Sequence, residues 1–93
     1  MHRQWMSRAI ALAAAAGAAG EIPVGAAIVD WENNLIASAE NRRERDKDPT
    51  AHAEILALRM AGQFLQDWHL NRCTLYVTLE PCPMCAGAIV QAR

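Results

Sequence analysis

Three side chains of the types that bind zinc stand in two short motifs. His52 is followed by Ala53 and Glu54, and Cys82 and Cys85 are spaced three apart in a proline-flanked stretch. One histidine and two cysteines make three ligands, whereas a structural zinc site is usually closed by four protein ligands. Because three ligands leave the fourth position for water, the sequence predicts a catalytic zinc site.

The spacing within each motif predicts how this site is built. Cys82 and Cys85 would share one face of a first helical turn, where the helix dipole favours thiolate over thiol. His52 and Glu54 are two residues apart, so they can serve one site only if it lies off the N-terminus of their helix. We expect Glu54 to be the general base that takes a proton from water and passes it to the substrate.

The periodicity of apolar residues predicts the elements that hold these motifs. In chain order they are a helix at 3–19, strands at 24–30 and 35–39 joined by a turn, a helix at 51–66, a strand at 73–79 and a helix that begins near Pro81. Segment 24–30 is a nearly continuous apolar run, which is typical of a strand buried on both faces. The order of helices and strands implies an α/β layered sheet.

The same patterns predict which surfaces are buried. The core face of helix 51–66 is expected to consist of apolar residues at helical spacing, namely Leu56, Met60 and Phe64, with Ala57, Ala61 and Leu65 beside them. In segment 41–50 basic and acidic residues alternate, so we expect a solvated loop rather than a surface for RNA. Cys73 is expected to be a buried small hydrophobic residue, and the tryptophans, among them Trp5 and Trp31, to be packing residues.

The composition limits the class of protein. Ninety-three residues suggest one small domain, and a net charge of −1 gives no general affinity for polyanions. Three cysteines are an odd number, which argues against a full disulfide framework and fits reduced thiols in the cytoplasm. The alanine-rich segment after Arg3 and Arg8 could also be a secretory signal peptide. No segment reaches the ~20 apolar residues that span a bilayer, so no membrane partner is expected.

The two motifs together form the H-x-E…P-C-x-x-C signature of zinc nucleobase deaminases. Segments 48–55 (DPTAHAEI) and 73–89 (CTLYVTLEPCPMCAGAI) resemble the bacterial tRNA-specific adenosine deaminases, which are members of the cytidine/deoxycytidylate deaminase superfamily. Residues 5–6 and 22–26 also match that family. Because the resemblance runs over nearly the whole chain, segment 3–19 is expected to be a helix of the fold rather than a signal peptide.

The resemblance implies both a fold and a function. The fold would be the cytidine-deaminase-like three-layer α/β/α arrangement, with helices on both faces of the sheet. The function would be zinc-dependent hydrolytic deamination of adenosine to inosine at the wobble position of tRNA, with the anticodon stem-loop as the RNA partner. The family also implies one zinc ion per chain, a homodimer and a cytoplasmic location.

The resemblance also assigns roles to individual residues. The zinc ligands and the catalytic carboxylate would be those of the two motifs, namely His52, Cys82, Cys85 and Glu54. Asn41 would contact the target base. The backbone around Ala53 and Glu80 would help to line the base pocket.

The chain also departs from the family pattern. Family members continue beyond the helix that contains Cys82, with further strands and a C-terminal helix, whereas this chain stops at Arg93. Residues 1–93 are therefore interpreted as one zinc deaminase domain that is incomplete at its C-terminus, with an unpaired edge on strand 73–79. Two alternatives stay open: a deaminase of a free base or nucleotide such as guanine or cytosine, and a non-catalytic zinc-binding fragment.

Overall fold

A computed structural model describes residues 2–66 and 72–78, which form three helices and three strands. In chain order they are α1 (His2–Ala18), β1 (Gly25–Val29), β2 (Leu35–Glu40), α2 (Arg43–Asp46), α3 (Ala53–Leu65) and β3 (Thr74–Val77). Strand β1 is central in the sheet and runs antiparallel to β2 on one side and to β3 on the other. The last helix predicted from the sequence, near Pro81, lies outside the described residues. None of the described helices is long and apolar enough to cross a membrane.

The two long helices lie on opposite faces of the sheet, and this confirms the expected three-layer α/β/α arrangement. Alternate residues of a strand point to opposite faces. One face of β1 shares a cluster with α1 and β3, formed by Trp5, Ala27, Val29 and Tyr76. The other face packs against α3 in a second cluster, formed by Ala26, Ile28, Ala37, Ala53, Ala57 and Ala61. Every residue of β1 is buried, as the apolar run predicted.

Gly25, the first residue of β1, lies where α1 comes close to the sheet. A Cβ atom at this position would overlap the carbonyl oxygen of Ala9 and lie 2.7 Å from the backbone nitrogen of Ala13. Both atoms belong to the backbone of α1, so neither can rotate away. Gly25 therefore sets the short distance between α1 and β1.

The buried face of α3 differs from the predicted one. Ala53, Ala57 and Ala61 are fully buried, whereas Met60 and Phe64 are 46% and 67% exposed. A row of alanines lets α3 lie close to β1 and β2, because no long side chain separates the helix backbone from the sheet. The prediction that Met60 and Phe64 face the core was therefore wrong, while the neighbouring alanines were assigned correctly.

The β1–β2 connection is the tight turn predicted from the sequence. The Asp30 carboxylate accepts hydrogen bonds from the amides of Glu32 and Asn34, both at 2.9 Å. Asn33 adopts a left-handed conformation with φ of 66°. Its side-chain oxygen accepts a hydrogen bond of 2.6 Å from the indole of Trp5. Trp5 thereby ties α1 to the hairpin, which confirms its predicted packing role.

The structure agrees only in part with the roles predicted for Trp31 and Cys73. Trp31 is 59% exposed, so the prediction that it is a packing residue was wrong. The guanidinium of Arg72 lies 4.5 Å from the centre of the Trp31 ring, which is a surface cation–π interaction. Cys73 is half-buried against the α3 side of the core. Burial, assisted by the negative charge of Asp30, raises the pKa of this thiol.

Segment 41–50 was predicted to be a solvated loop, and part of it is helical. Residues Arg43–Asp46 form one turn, α2, which ends where Lys47 adopts a left-handed φ of 50°. All four residues of α2 are exposed, so the predicted solvation is confirmed there, whereas Asn41 at the start of the segment is buried. A helix without a buried residue must be held in place by polar contacts rather than by packing.

Substituting Gly25 by alanine should destabilise the protein, because the added methyl group must push α1 away from β1. Overpacking of this kind costs about 1–3 kcal/mol. In a domain of this size, each kcal/mol lowers the midpoint of thermal unfolding by roughly 4–8 °C. Circular dichroism during heating would measure the change.

Gly17→Ala is the matched control for this prediction. Gly17 lies in the last turn of α1, where the nearest contact of an added Cβ atom would be Pro23 Cβ at 3.4 Å. Alanine is preferred to glycine within a helix by about 0.5–1 kcal/mol, so this variant should be at least as stable as the parent. Equal unfolding midpoints for the two variants would contradict the claimed close approach at Gly25.

Candidate active site

His52 and Glu54 lie at the N-terminal end of α3, as their spacing predicted. The helix begins at Ala53, and His52 precedes it in an extended conformation with φ of −78° and ψ of 150°. The His52 carbonyl accepts a helical hydrogen bond from the Leu56 amide at 3.0 Å, and the His52 side chain does not cap the helix. Glu54 belongs to the first turn. Both side chains therefore start from the same end of one helix.

Glu54 is a buried carboxylate, since only 4% of the residue is exposed. Within residues 2–66 and 72–78 no group donates a hydrogen bond to it, and no side-chain oxygen is fully enclosed without a partner. Because the N-terminus of a helix favours negative charge, the position suits a carboxylate that meets water or substrate.

Asn41 reaches the same region from the end of β2, and it is also only 4% exposed. Its amide donates to the Val24 carbonyl at 3.0 Å. The next amide, that of Arg42, donates to the Ala51 carbonyl at 2.9 Å and closes the base of the loop. Because Ala51 directly precedes His52, this hydrogen bond brings Asn41 beside the start of α3.

The structure thus gathers the predicted site residues that it describes, namely Asn41, His52, Ala53 and Glu54. The other three, Glu80, Cys82 and Cys85, lie outside the described residues, and their roles stay predictions. Among residues 2–66 and 72–78, no three histidine, cysteine, aspartate or glutamate side chains are grouped as a metal site. His52 is the one predicted ligand that falls within this part of the chain.

The end of β3 is fixed at the same edge of the sheet. The hydroxyl of Thr78 accepts a hydrogen bond from the Gly25 amide at 3.2 Å, and the Thr78 amide donates to the Gly25 carbonyl at the same distance. On its other side Gly25 pairs with Glu40, which directly precedes Asn41. The chain therefore leaves β3 close to Asn41, and the motif that begins at Pro81 follows in the sequence.

The segment that leads into His52 is ordered by its own side chains. The Asp48 carboxylate accepts hydrogen bonds from the Thr50 amide at 2.9 Å and from the Thr50 hydroxyl at 2.8 Å. These two bonds hold the pKa of Asp48 below its usual range, with a smaller contribution from the charge of Arg59 and against the opposing effect of burial. The His52 amide in turn donates to the Thr50 carbonyl at 2.8 Å. The loop therefore presents His52 with a fixed backbone.

Two residues next to the site, Glu21 and Arg45, were not predicted from the sequence. The Glu21 side chain is fully buried and lies 3.1 Å from the guanidinium of Arg45. Arg45 also donates to the Asn41 carbonyl at 2.7 Å. A signal for this contact did exist, because Glu21 is the only charged residue in the stretch 9–29. A carboxylate in so apolar a segment needs a partner when it is buried.

The whole chain, residues 1–93, matches the family model of the cytidine and deoxycytidylate deaminase zinc-binding region. The chain belongs to this family. It is 53% identical over 88 residues to the tRNA-specific adenosine deaminase of Haemophilus influenzae, and the match covers 95% of this chain and 51% of that relative. The chain spans about half the length of the curated tRNA-specific adenosine deaminases it matches.

Two solved structures show how closely the chain follows the deaminase fold. A structure from a study of A-to-I editing by tRNA:A34 deaminases has a TM-score of 0.94 at 45% identity, covering 98% of this chain and 69% of that one. Guanine deaminase from Bacillus subtilis has a TM-score of 0.94 at 44% identity, covering 100% of this chain and 59% of that one. The deaminase fold expected from the sequence is thereby confirmed. The similar proteins nevertheless include deaminases of different substrates.

Acidification should remove the stability that Asp48 provides. A carboxylate whose pKa is lowered by folding stabilises the protein above its unfolded pKa, about 4, and loses this effect as the pH falls through the folded value. Near neutral pH the free energy of unfolding of the parent should therefore exceed that of Asp48→Asn. The difference between these two free energies of unfolding should become smaller below about pH 4. Urea unfolding across this range would measure it.

Glu32→Gln is the control for the pH experiment, because Glu32 is exposed in the hairpin turn. Its free energy of unfolding should stay close to that of the parent at every pH. A gap between the parent and Asp48→Asn that did not change with pH would show that the Thr50 hydrogen bonds do not favour the charged form of Asp48.

Proposed function

We propose that this chain carries the zinc centre of a hydrolase that converts adenosine to inosine at the wobble position of tRNA. The observation that supports it best is the buried carboxylate of Glu54 in the first turn of α3, next to His52 and near Asn41. Membership of the deaminase family supplies the class of reaction. The 53% identity to a tRNA-specific adenosine deaminase favours this substrate.

The donor set of the chain fits zinc. A histidine nitrogen and two cysteine thiolates are ligands that zinc prefers, and the family model describes a zinc-binding region. His52, Cys82 and Cys85 would hold one ion per chain. When bound, zinc supplies the Lewis acidity that makes water a stronger nucleophile.

Glu54 would move the protons of the reaction. Deamination replaces the amine at C6 of adenine by oxygen from water, so the water must lose protons and the departing amine must gain one. The Glu54 carboxylate lies in the first turn of α3, and no described residue donates a hydrogen bond to it. The carboxylate can therefore take one proton from water and deliver it to the ring nitrogen. It can then take the second proton from the hydroxyl added at C6 and pass it to the departing amine, which leaves as ammonia.

Asn41 and the backbone near α3 would hold the base. The amide side chain of Asn41 offers both a donor and an acceptor. Within the described residues it makes no hydrogen bond to protein, although Asn41 is 4% exposed. Ala53 and the backbone around Glu80 would line the rest of the pocket, and the small side chain of Ala53 leaves space for a flat ring.

The same proposal includes the partners of the enzyme. The wobble adenosine of the anticodon stem-loop would turn out of its stack to enter the pocket. A homodimer and a cytoplasmic location, both implied by the family, complete this proposal. A net charge of −1 means that contacts to the flipped base would contribute much of the recognition by this chain.

Guanine is a second candidate substrate. The guanine deaminase of B. subtilis and the tRNA:A34 deaminase have the same TM-score to this chain, at 44% and 45% identity. The proton chemistry of Glu54 would be the same, with the amine leaving from C2 of guanine. Ammonia release from guanine without inosine formation in RNA would favour this candidate. Bound zinc with neither product would favour a non-catalytic zinc-binding fragment.

Glu54→Gln should lose deamination while it keeps its fold. Glutamine has nearly the same size but cannot accept the proton, and general acid–base catalysis contributes about 10²–10⁴-fold to the rate. The assay is mass-spectrometric detection of inosine in an anticodon stem-loop RNA incubated with zinc-loaded protein. Glu32→Gln, a carboxylate change in the exposed hairpin turn, should retain the parent rate. Equal rates for the parent and Glu54→Gln would refute the catalytic role.

His52→Ala should lose bound zinc, because it removes one of three protein ligands. Zinc content after gel filtration, measured by plasma mass spectrometry, should fall well below one ion per chain. His69→Ala is the control, since His69 belongs to neither motif. If His52→Ala retains as much zinc as His69→Ala, then His52 is not a ligand.

A further inference from the structure

We propose that Glu21 and Arg45 are positioning residues that hold Asn41 in place for the substrate, although neither belongs to the two zinc motifs. This inference rests on the proposed function, in which Asn41 contacts the target base. It makes the ion pair between Glu21, which is buried in the connection between α1 and β1, and Arg45 of α2 a determinant of substrate binding.

Glu21 is anchored in the protein and holds α2 in place. Its side chain has no exposed surface, and its amide donates to the Ala16 carbonyl of α1 at 2.9 Å. Its carboxylate accepts hydrogen bonds from the amides of Glu44 and Arg45 at 3.0 and 2.8 Å, and from Arg45 Nε at 3.1 Å. Burial by itself would raise the pKa of Glu21, but these bonds and the charge of Arg45 hold it below its usual range.

Arg45 connects this anchor to Asn41. Its Nη2 donates to the Asn41 carbonyl at 2.7 Å and to the Glu40 carboxylate at 2.9 Å. The hydrogen bond to Glu40 and, to a smaller extent, the hydrogen bond to Glu21 raise the pKa of Arg45 against the opposing effect of burial. The guanidinium therefore stays positively charged. One guanidinium therefore joins the end of β2 to the buried carboxylate of Glu21.

The connection between α1 and β1 also holds Asn41 from the other side. The Val24 carbonyl accepts the hydrogen bond of the Asn41 amide at 3.0 Å, and Val24 lies in the same connection as Glu21. Both backbone polar groups of Asn41 are therefore fixed by one short segment, directly through Val24 and indirectly through Arg45. With its backbone fixed, Asn41 has only its side-chain torsions left to adjust, which limits where its amide can point.

Packing does not replace these polar contacts. All four residues of α2 are exposed, so the orientation of α2 depends on Glu21. Removing the Glu21 carboxylate takes away the acceptor of three hydrogen bonds from Glu44 and Arg45, so it should loosen α2 and Asn41. A displacement of about 1 Å in a positioning contact can reduce a reaction rate by about 10²-fold.

A double-mutant cycle on the zinc-loaded full chain tests the inference. Glu21→Gln, Asn41→Ala and the double variant are compared by kcat/KM for inosine formation in the anticodon stem-loop. Each single change should lower kcat/KM by on the order of 10- to 100-fold, with KM raised because a binding contact is lost or misaligned. In the Asn41→Ala background, Glu21→Gln should lower kcat/KM by less than about twofold, because its effect passes through Asn41.

Two further variants separate positioning from general destabilisation. Arg45→Lys keeps the charge but cannot bridge Glu21 and Asn41 in one plane, so its kcat/KM should lie between those of the parent and Glu21→Gln. Glu44→Gln changes an exposed side chain on the same helix and should match the parent. If Glu44→Gln loses as much activity as Glu21→Gln, any disturbance of α2 is enough and the positioning role is overturned.

The outcomes of the cycle keep the inference and the proposed function distinguishable. Independent single effects that multiply in the double variant overturn the inference. A kcat/KM of Asn41→Ala equal to that of the parent also overturns the inference, even where Glu54→Gln is inactive and the proposed function stands.

If the parent forms no inosine, the proposed function fails, and the cycle is measured as Kd for the same RNA. There, non-additive losses of affinity support the inference, and additive losses or absent binding overturn it. If Glu21→Gln does not fold, Arg45→Lys takes its place under the same criterion.

Discussion

The burial of β1 on both faces is the constraint on which the rest of the structure depends. A strand with a helix on each side must be apolar throughout, and every residue of β1 is buried. Gly25 lets α1 approach one face, and the alanines of α3 approach the other. The ends of the strands and the start of α3 are thereby drawn together. Gly25 itself fixes Thr78 at the end of β3.

The parts of the fold that could be predicted are those encoded by local patterns. Helical and strand periodicity is a property of neighbouring residues, so the long helices and all three strands were found with small errors at their ends. The two-residue spacing of His52 and Glu54 placed both at the start of a helix, and the structure has them there. The roles of Cys82 and Cys85 stay predictions, because the described residues do not include them.

The parts that could not be predicted depend on contacts between distant segments. Met60 and Ala61 both fit a helical stripe, and only the distance between α3 and the sheet decides which of them is buried. Glu21 needed a positive partner, but several basic residues lie between 42 and 47, and the sequence does not say which one would meet it. The structure selects Arg45, which is 24 residues away along the chain. Electrostatic pairing of this kind leaves no periodic trace in the sequence.

The strand order β2-β1-β3 also has a consequence for how the molecule assembles. Strands β1 and β2 are joined by a tight turn, so their pairing closes a short loop at small entropic cost. The contact between Gly25 and Thr78 spans 53 residues, and non-local pairings of this kind form slowly. Cys82 and Cys85 follow β3 in the sequence, so in the proposed zinc site they would join His52 only after this late step. If that site forms as proposed, the two thiols would be open to oxidation, or to binding a metal ion without His52, in the interval before β3 docks.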